Sequence, residues 1–329
     1  MNIAAIAQVR DECDIIELFA RINCRVFDHL YIIDNNSADA TPHILKKLQE
    51  QGYPITTTFD GDNTYNQDGL TTKALYSVNA LGIYDWIFFL DADEFVDEPK
   101  DDLIAKLNDC PKNFIPKALW RSWIVTDTTY AEHKNPLYTI FRPLKHENFN
   151  TYKAIIDRAR APHVKITHGN HGWLDKNGKE VPDKYTGIRI NHFPIRSPEQ
   201  ITSKAVLSHY RQIVRHATKN DQNRQKELGP VRHFFQLASI HSELQKSNYL
   251  ITKKDLRRWS VLYNTEIVGN SLAVDSAIET EHFGFEDDII EWPELARIAL
   301  GARFDKQMDI MHGVIISLMQ RIRGMSPMP

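Results

Sequence analysis

The sequence lacks most of the features that would settle its class at once. Its three cysteines, Cys13, Cys24 and Cys110, are odd in number and have no metal-ligand spacing, which predicts a reducing compartment and no zinc site. No apolar run approaches the ~18 residues of a membrane span, and no secretory signal pattern opens the chain. The expected location is the cytoplasm, with attachment to the inner face of a membrane as the furthest departure. No G-x-G-x-x-G follows the first apolar run and no G-x-x-x-x-G-K-[ST] occurs, so neither a usual dinucleotide fold nor a P-loop is expected. Internal repeats and low-complexity tracts are also missing. A net charge of -3 over 329 residues excludes a general polyanion binder, and no nucleic-acid partner is expected.

What is present is the composition of an ordinary globular protein, 42% hydrophobic and 25% charged, long enough to bury a sizeable core. The charge is unevenly spread. Residues 112–234 hold 22 Lys and Arg against 10 Asp and Glu, with nine of the 14 His. This middle stretch either faces something anionic or is a solvated basic surface.

The most informative stretch is Tyr84 to Phe95, in which Trp86-Ile87-Phe88-Phe89-Leu90 runs into Asp91-Ala92-Asp93-Glu94. The apolar run has the content of a strand covered on both faces. Two carboxylates one residue apart at its exit can share Mn²⁺ or Mg²⁺ and, through it, a diphosphate. Alone, D-x-D is a short pattern that chance also produces.

The neighbouring sequence repeats the arrangement. Ile3 to Val9 reads as a strand ending in Arg10-Asp11-Glu12, with a helix marked by Ile15, Leu18, Phe19 and Ile22. Leu30 to Ile33 leads into Asp34-Asn35-Asn36-Ser37-Ala38-Asp39, and Thr41-Pro42 opens a helix. Ile55 to Phe59 leads into Asp60-Gly61-Asp62-Asn63, and a helix from about Thr71 returns the chain to Ile87. This alternation predicts an α/β fold with a mostly parallel sheet flanked by helices. All four polar clusters then fall at the C-terminal strand edges, where such sheets bind ligands.

After Pro111 the pattern becomes short strands, at 117–126, 137–141, 152–156, 164–168 and 187–193, which predicts a mixed-sheet half. From Ser197 onward it is helical, with candidate helices at about 230–246, 254–264 and 286–299. The expected division is 1–111, 112–200 and a helical region over 201–329. Residues 302–323 carry an apolar stripe, suited to a membrane surface, to the body of the protein or to a second copy.

Taken together these residues resemble a glycosyltransferase of the GT-A fold, in the broad family-2-like group. The resemblance lies in Val9-Arg10-Asp11-Glu12, in Asp34 to Thr41, in Phe89 to Phe95, and in Asn191-His192-Phe193-Pro194-Ile195-Arg196-Ser197-Pro198-Glu199-Gln200 with Lys204, similar to an N-H-[YF]-x-x-[KR]-S segment of a bacterial subgroup. It covers about residues 3–204. It implies a GT-A nucleotide-sugar-binding half, an acceptor-binding half, and inverting transfer of a sugar from a nucleotide-diphosphate donor, UDP-linked, to a glycan or glycolipid in bacterial surface polysaccharide or lipopolysaccharide synthesis.

The resemblance further implies roles. Asp91 and Asp93 would hold the metal, with His192 as third protein ligand and His168 and His171 as rivals. Asp34 would bind the base, with Arg10 and Asp62 as further base or ribose contacts and Lys73 near the diphosphate. Arg196 and Lys204 would close on the phosphates. An inverting displacement needs a carboxylate base, for which Asp127 is first and Glu132 and Asp157 are alternatives. Trp123, Tyr130 and Trp173 offer faces for sugar rings or belong to the core. Lys153 also resembles a family position, of no defined role. Two other readings remain at this stage, a non-catalytic GT-A scaffold in a polysaccharide-assembly complex and a D-x-D phosphatase. The latter places its D-x-D on the first strand, not the fourth.

Overall fold

The computed structural model describes residues 1–61, 67–96, 98–125, 141–143 and 152–196, together with 200–201, 204–205, 240, 242–243, 246–247 and 255. The candidate helices at 230–246, 254–264 and 286–299 and the stripe at 302–323 lie outside these residues, apart from the few single positions given.

The alternation read in the N-terminal part is observed. Strand β1 (Ile3–Val9), helix α1 (Ile16–Asn23), β2 (His29–Asp34), α2 (Thr41–Glu50), β3 (Ile55–Phe59), α3 (Gln67–Ala80) and β4 (Trp86–Leu90) follow one another. Pro42 sits in the first turn of α2, where its missing N–H costs nothing. The four strands are parallel in the order β3-β2-β1-β4. Val9 pairs with Asp34, Asp34 with Phe59, and Ala7 with Leu90, so the strand exits share one rim.

β4 is buried throughout, as its unbroken apolar run requires. Phe88 and Leu90 join Phe19, Phe27 and Leu45 on one face, and Ile87 and Phe89 join Leu75 and Val78 on the other. Each such side chain contributes roughly 1.5–3 kcal/mol on burial, which makes β4 the rigid centre of the sheet.

Beyond β4 the sheet becomes mixed. Its further elements are β5 (Glu94–Val96), α4 (Lys100–Asn108), β6 (Ile115–Val125), β7 (Phe141–Pro143), β8 (Tyr152–Asp157), β9 (Lys165–Ile166), β10 (Trp173–Leu174) and β11 (Asp183–His192). Among the described residues the sheet has nine strands, in the order β3-β2-β1-β4-β8-β6-β11-β5 with β7 on β6. β8 is antiparallel to β4 and β6, and β11 is parallel to β6 and antiparallel to β5. β5 follows β4 after three residues yet closes the far end of the strand order. The sheet therefore curls until its last strand returns to its middle, and Asp91-Ala92-Asp93 is the link across that return.

This agrees with the expected α/β class and its mixed second half. The detail sharpens at two places. The strand placed at 164–168 is only Lys165–Ile166, set between short 3-10 turns at Ala161–His163 and His168–Asn170. Trp173, read as a sugar platform or as core, is core, buried among Ala161, Val164 and Ile166. Among the described residues no helix is long and apolar enough to cross a membrane.

Candidate active site

The acidic turn is built by its own last residue. Glu94 donates its N–H to the Asp91 carbonyl at 3.1 Å, and its Oε2 accepts the Asp91 N–H at 2.9 Å, so the turn is closed from both sides. β5 is then fixed by Asn23, which donates to the Glu94 carbonyl and accepts from the Val96 N–H. The Phe193 N–H donates to the Asp93 carbonyl at 2.9 Å, which brings the end of β11 onto the same turn.

Three ligand-type side chains meet there. His192 lies directly opposite Glu94 in the β11–β5 pair, and its Nε2 is 3.8 Å from Asp93 Oδ1. Asp93, Glu94 and His192 are all buried, and each offers a donor atom within 4.8 Å of the other two. Burial opposes ionisation of Asp93, yet Lys204, His192 and Arg196 outweigh it and hold the carboxyl well below its ordinary range. Burial pushes Glu94 well above its ordinary range, against the pull of Lys153. Burial also lowers His192 to about 4, against the pull of Asp93, so its imidazole is neutral near pH 7 and keeps a lone pair for a cation. Two carboxyl groups and a neutral imidazole at this spacing fit a divalent cation such as Mn²⁺ or Mg²⁺.

Cations of the chain surround the same group. Lys153 Nζ is 2.6 Å from Asp91 Oδ2 and 3.1 Å from Glu94 Oε1. Lys204 Nζ is 3.4 Å from Asp93 Oδ2 and Arg196 Nη1 is 3.7 Å from it. Arg196 is fully buried and forks onto Asp14, with Nε to Oδ2 at 2.8 Å and Nη2 to Oδ1 at 3.0 Å, while Nη2 also reaches Glu12 Oε2 at 2.8 Å. Its Nη1 donates to the Phe193 carbonyl. The guanidinium expected on phosphate is thus committed to the protein, tying the β1 exit to the turn.

The other rim loops hold one another. Asp34 is buried at the end of β2 and accepts the Ser37 N–H at 3.0 Å, and burial raises its carboxyl above the ordinary range. Asp11 accepts the Ala38 N–H and donates its own N–H to Ser37 Oγ, while the Glu12 N–H donates to Thr41 Oγ1. Arg10 donates to Asn35 Oδ1 at 3.3 Å, and Asn35 donates to Asp60. Arg10 and Asp34 therefore stand on the rim expected of them, and Lys73 is exposed on α3.

Several expected residues fall elsewhere. Asp157 pairs with Trp86, the first residue of β4, and so lies at the opposite edge of the sheet, bound to Arg160. His171 is outside the three-residue cluster, its Nδ1 against the Tyr152 carbonyl at 2.7 Å. Asp62, Asp127, Glu132 and Tyr130 lie outside the described residues, as do the side chains of His168 and Trp123. Glu94 was missed as a ligand candidate, although it stands beside the D-x-D. Glu12 and Asp14 were missed as the partners of Arg196.

Residues 17–176 match the model of Glycosyl transferase family 2. No curated protein matches the chain. Among solved structures, TarS of S. aureus has 13% identity and a TM-score of 0.37 over 81% of this chain, which spans only 53% of its length. TarS 1-349 in complex with UDP gives 12% identity and 0.34, over 86% of this chain and 97% of that one. Glucosyl-3-phosphoglycerate synthase from Mycobacterium tuberculosis, in complex with Mn²⁺, UDP and phosphoglyceric acid, gives 17% and 0.26, over 36% and 43%. These likenesses are distant. Over residues 17–176, just under half of its length, the chain is similar to glycosyl transferase family 2.

Proposed function

We propose that the protein transfers a sugar from a UDP-linked donor to a hydroxyl of a glycan or glycolipid, by a metal-dependent inverting displacement, in bacterial surface polysaccharide or lipopolysaccharide synthesis. The observation that carries this reading is the meeting of Asp93, Glu94 and His192 at the exit of β4, on the rim shared by Asp34 and Arg10, in a chain whose residues 17–176 match glycosyl transferase family 2.

The donor already carries its leaving group, so the site must place the diphosphate, balance the charge that develops on it and admit an acceptor in line. A divalent cation held by Asp93, Glu94 and His192, with Asp91 alongside, supplies the positive charge that the departing nucleotide needs. Lys204, part-exposed beside Asp93, adds an ammonium for the phosphates. Asp34 and Arg10 take the nucleoside end, with Asp62, and Lys73 lies toward the diphosphate. The acceptor's proton passes to a carboxylate of the mixed half, Asp127 or Glu132, since Asp157 is at the wrong edge. The acceptor is met on the cytoplasmic side, at the inner face of a membrane when it is a glycolipid.

A screen of nucleotide sugars with Mn²⁺, repeated with EDTA, tests this directly. At least one donor should bind or hydrolyse slowly in a metal-dependent way, and Asp93→Ala should abolish it. Absence of any donor would move the domain to a scaffolding role.

A further inference from the structure

The first acid of the turn already has a cation of the protein's own. β8 runs antiparallel to β4 with Ile155 opposite Phe88, which carries Lys153, two residues earlier on β8, to the exit of β4. Its side chain is 1% exposed, and its ammonium lies between Asp91 Oδ2 at 2.6 Å and Glu94 Oε1 at 3.1 Å. A lysine so deeply buried is retained charged only by such partners, and here Asp91 and Glu94 outweigh its burial and hold it protonated. The wider network joins five carboxyl groups, Glu12, Asp14, Asp91, Asp93 and Glu94, to three permanent cations, Lys153, Arg196 and Lys204. Arg196 is bound to Asp14 and Glu12, and Lys204 is part-exposed, so Lys153 is the one that sits within the turn itself.

We propose that Lys153 is a built-in competitor for the divalent cation. It occupies Asp91 and Glu94 in the cation's absence, keeps the affinity for metal alone low, and makes firm metal binding depend on the negative charge of the nucleotide diphosphate. A like charge this close in a poorly solvated turn repels an incoming dication strongly, and a diphosphate offsets that repulsion. A lysine that served only to tie β8 to the turn would have the opposite signature, because its loss would loosen the ligands and weaken metal binding. The inference rests on the metal-dependent reading above.

The test is calorimetric titration with Mn²⁺, alone and with saturating UDP, of the full chain and its Lys153→Met and Lys153→Arg variants. In the unaltered protein UDP should tighten Mn²⁺ binding at least tenfold. Lys153→Met should bind Mn²⁺ alone at least tenfold more tightly than the unaltered protein and lose most of the UDP effect, while Lys153→Arg should keep the original pattern. A folded Lys153→Met protein whose Mn²⁺ affinity equals or falls below the original overturns the role of Lys153 and leaves the metal reading standing. If that variant does not fold, Lys153→Gln, which keeps two N–H donors for the carboxylates, is held to the same outcome. Failure of every protein to bind Mn²⁺, with or without UDP, overturns both readings together.

Discussion

Glu94 and His192 face each other across the antiparallel pair of β5 and β11. Their separation is set by backbone register, not by loop conformation, and opposed residues in such pairs keep their Cβ atoms about 4.5–5.5 Å apart. Asp93, one residue before Glu94, is brought in by the turn and by the Phe193 N–H. A ligand set held this way needs little rearrangement to accept a cation.

His192→Ala and Asp93→Asn should therefore each weaken Mn²⁺ binding by at least about 10–100-fold, the loss seen when even a supporting group of a metal site is removed. Calorimetry with Mn²⁺ and UDP measures this, and circular dichroism should show the fold kept. Unaltered affinity in His192→Ala would exclude it as the third ligand.

Arg196 carries a different expectation. Its guanidinium is fully buried against Asp14 and Glu12, and removal of one partner of such a group leaves uncompensated charge in the interior. Arg196→Ala should lower stability by about 3–5 kcal/mol in denaturant unfolding, and Arg196→Lys should recover only part, because one ammonium cannot replace the fork onto Asp14. A phosphate-binding arginine at the surface would instead leave stability almost unchanged and raise KM for the donor.

The contrast shows which parts of the site the sequence could reveal. β4 was legible because five consecutive apolar residues have few alternatives to a buried strand, and the shared rim followed from the alternation of strands and helices. Asp93 and His192 were also within reach, through the D-x-D and the N-H-F segment. Glu94 was not, since its place in the cluster comes from pairing with His192, 98 residues later, and no local pattern encodes that register. Asp157 misled for a related reason: β8 runs antiparallel to β4, which sends its C-terminal residue to the edge away from the rim. Arg196 was expected on the phosphates because nothing in its neighbours' sequence announces Glu12 and Asp14.

The loop at His168–Asn170 supplies a final test, on the α3 side of the sheet. Gly169 has φ +73°, donates its N–H to Gln67 Oε1 at the start of α3, and leaves no space for a β-carbon, which would lie 2.5 Å from His171 Nε2. His171 cannot easily yield, since its other ring nitrogen is held at 2.7 Å by the Tyr152 carbonyl, next to Lys153. Gly169→Ala adds a left-handed backbone penalty to that clash, together about 1–3 kcal/mol. Thermal melting should show the loss. Because the displaced ring leans on Tyr152, the variant should also alter Mn²⁺ and UDP binding through β8, whereas Gly178→Ala, at φ +75° with open space around it, should lower stability modestly and leave binding as it was.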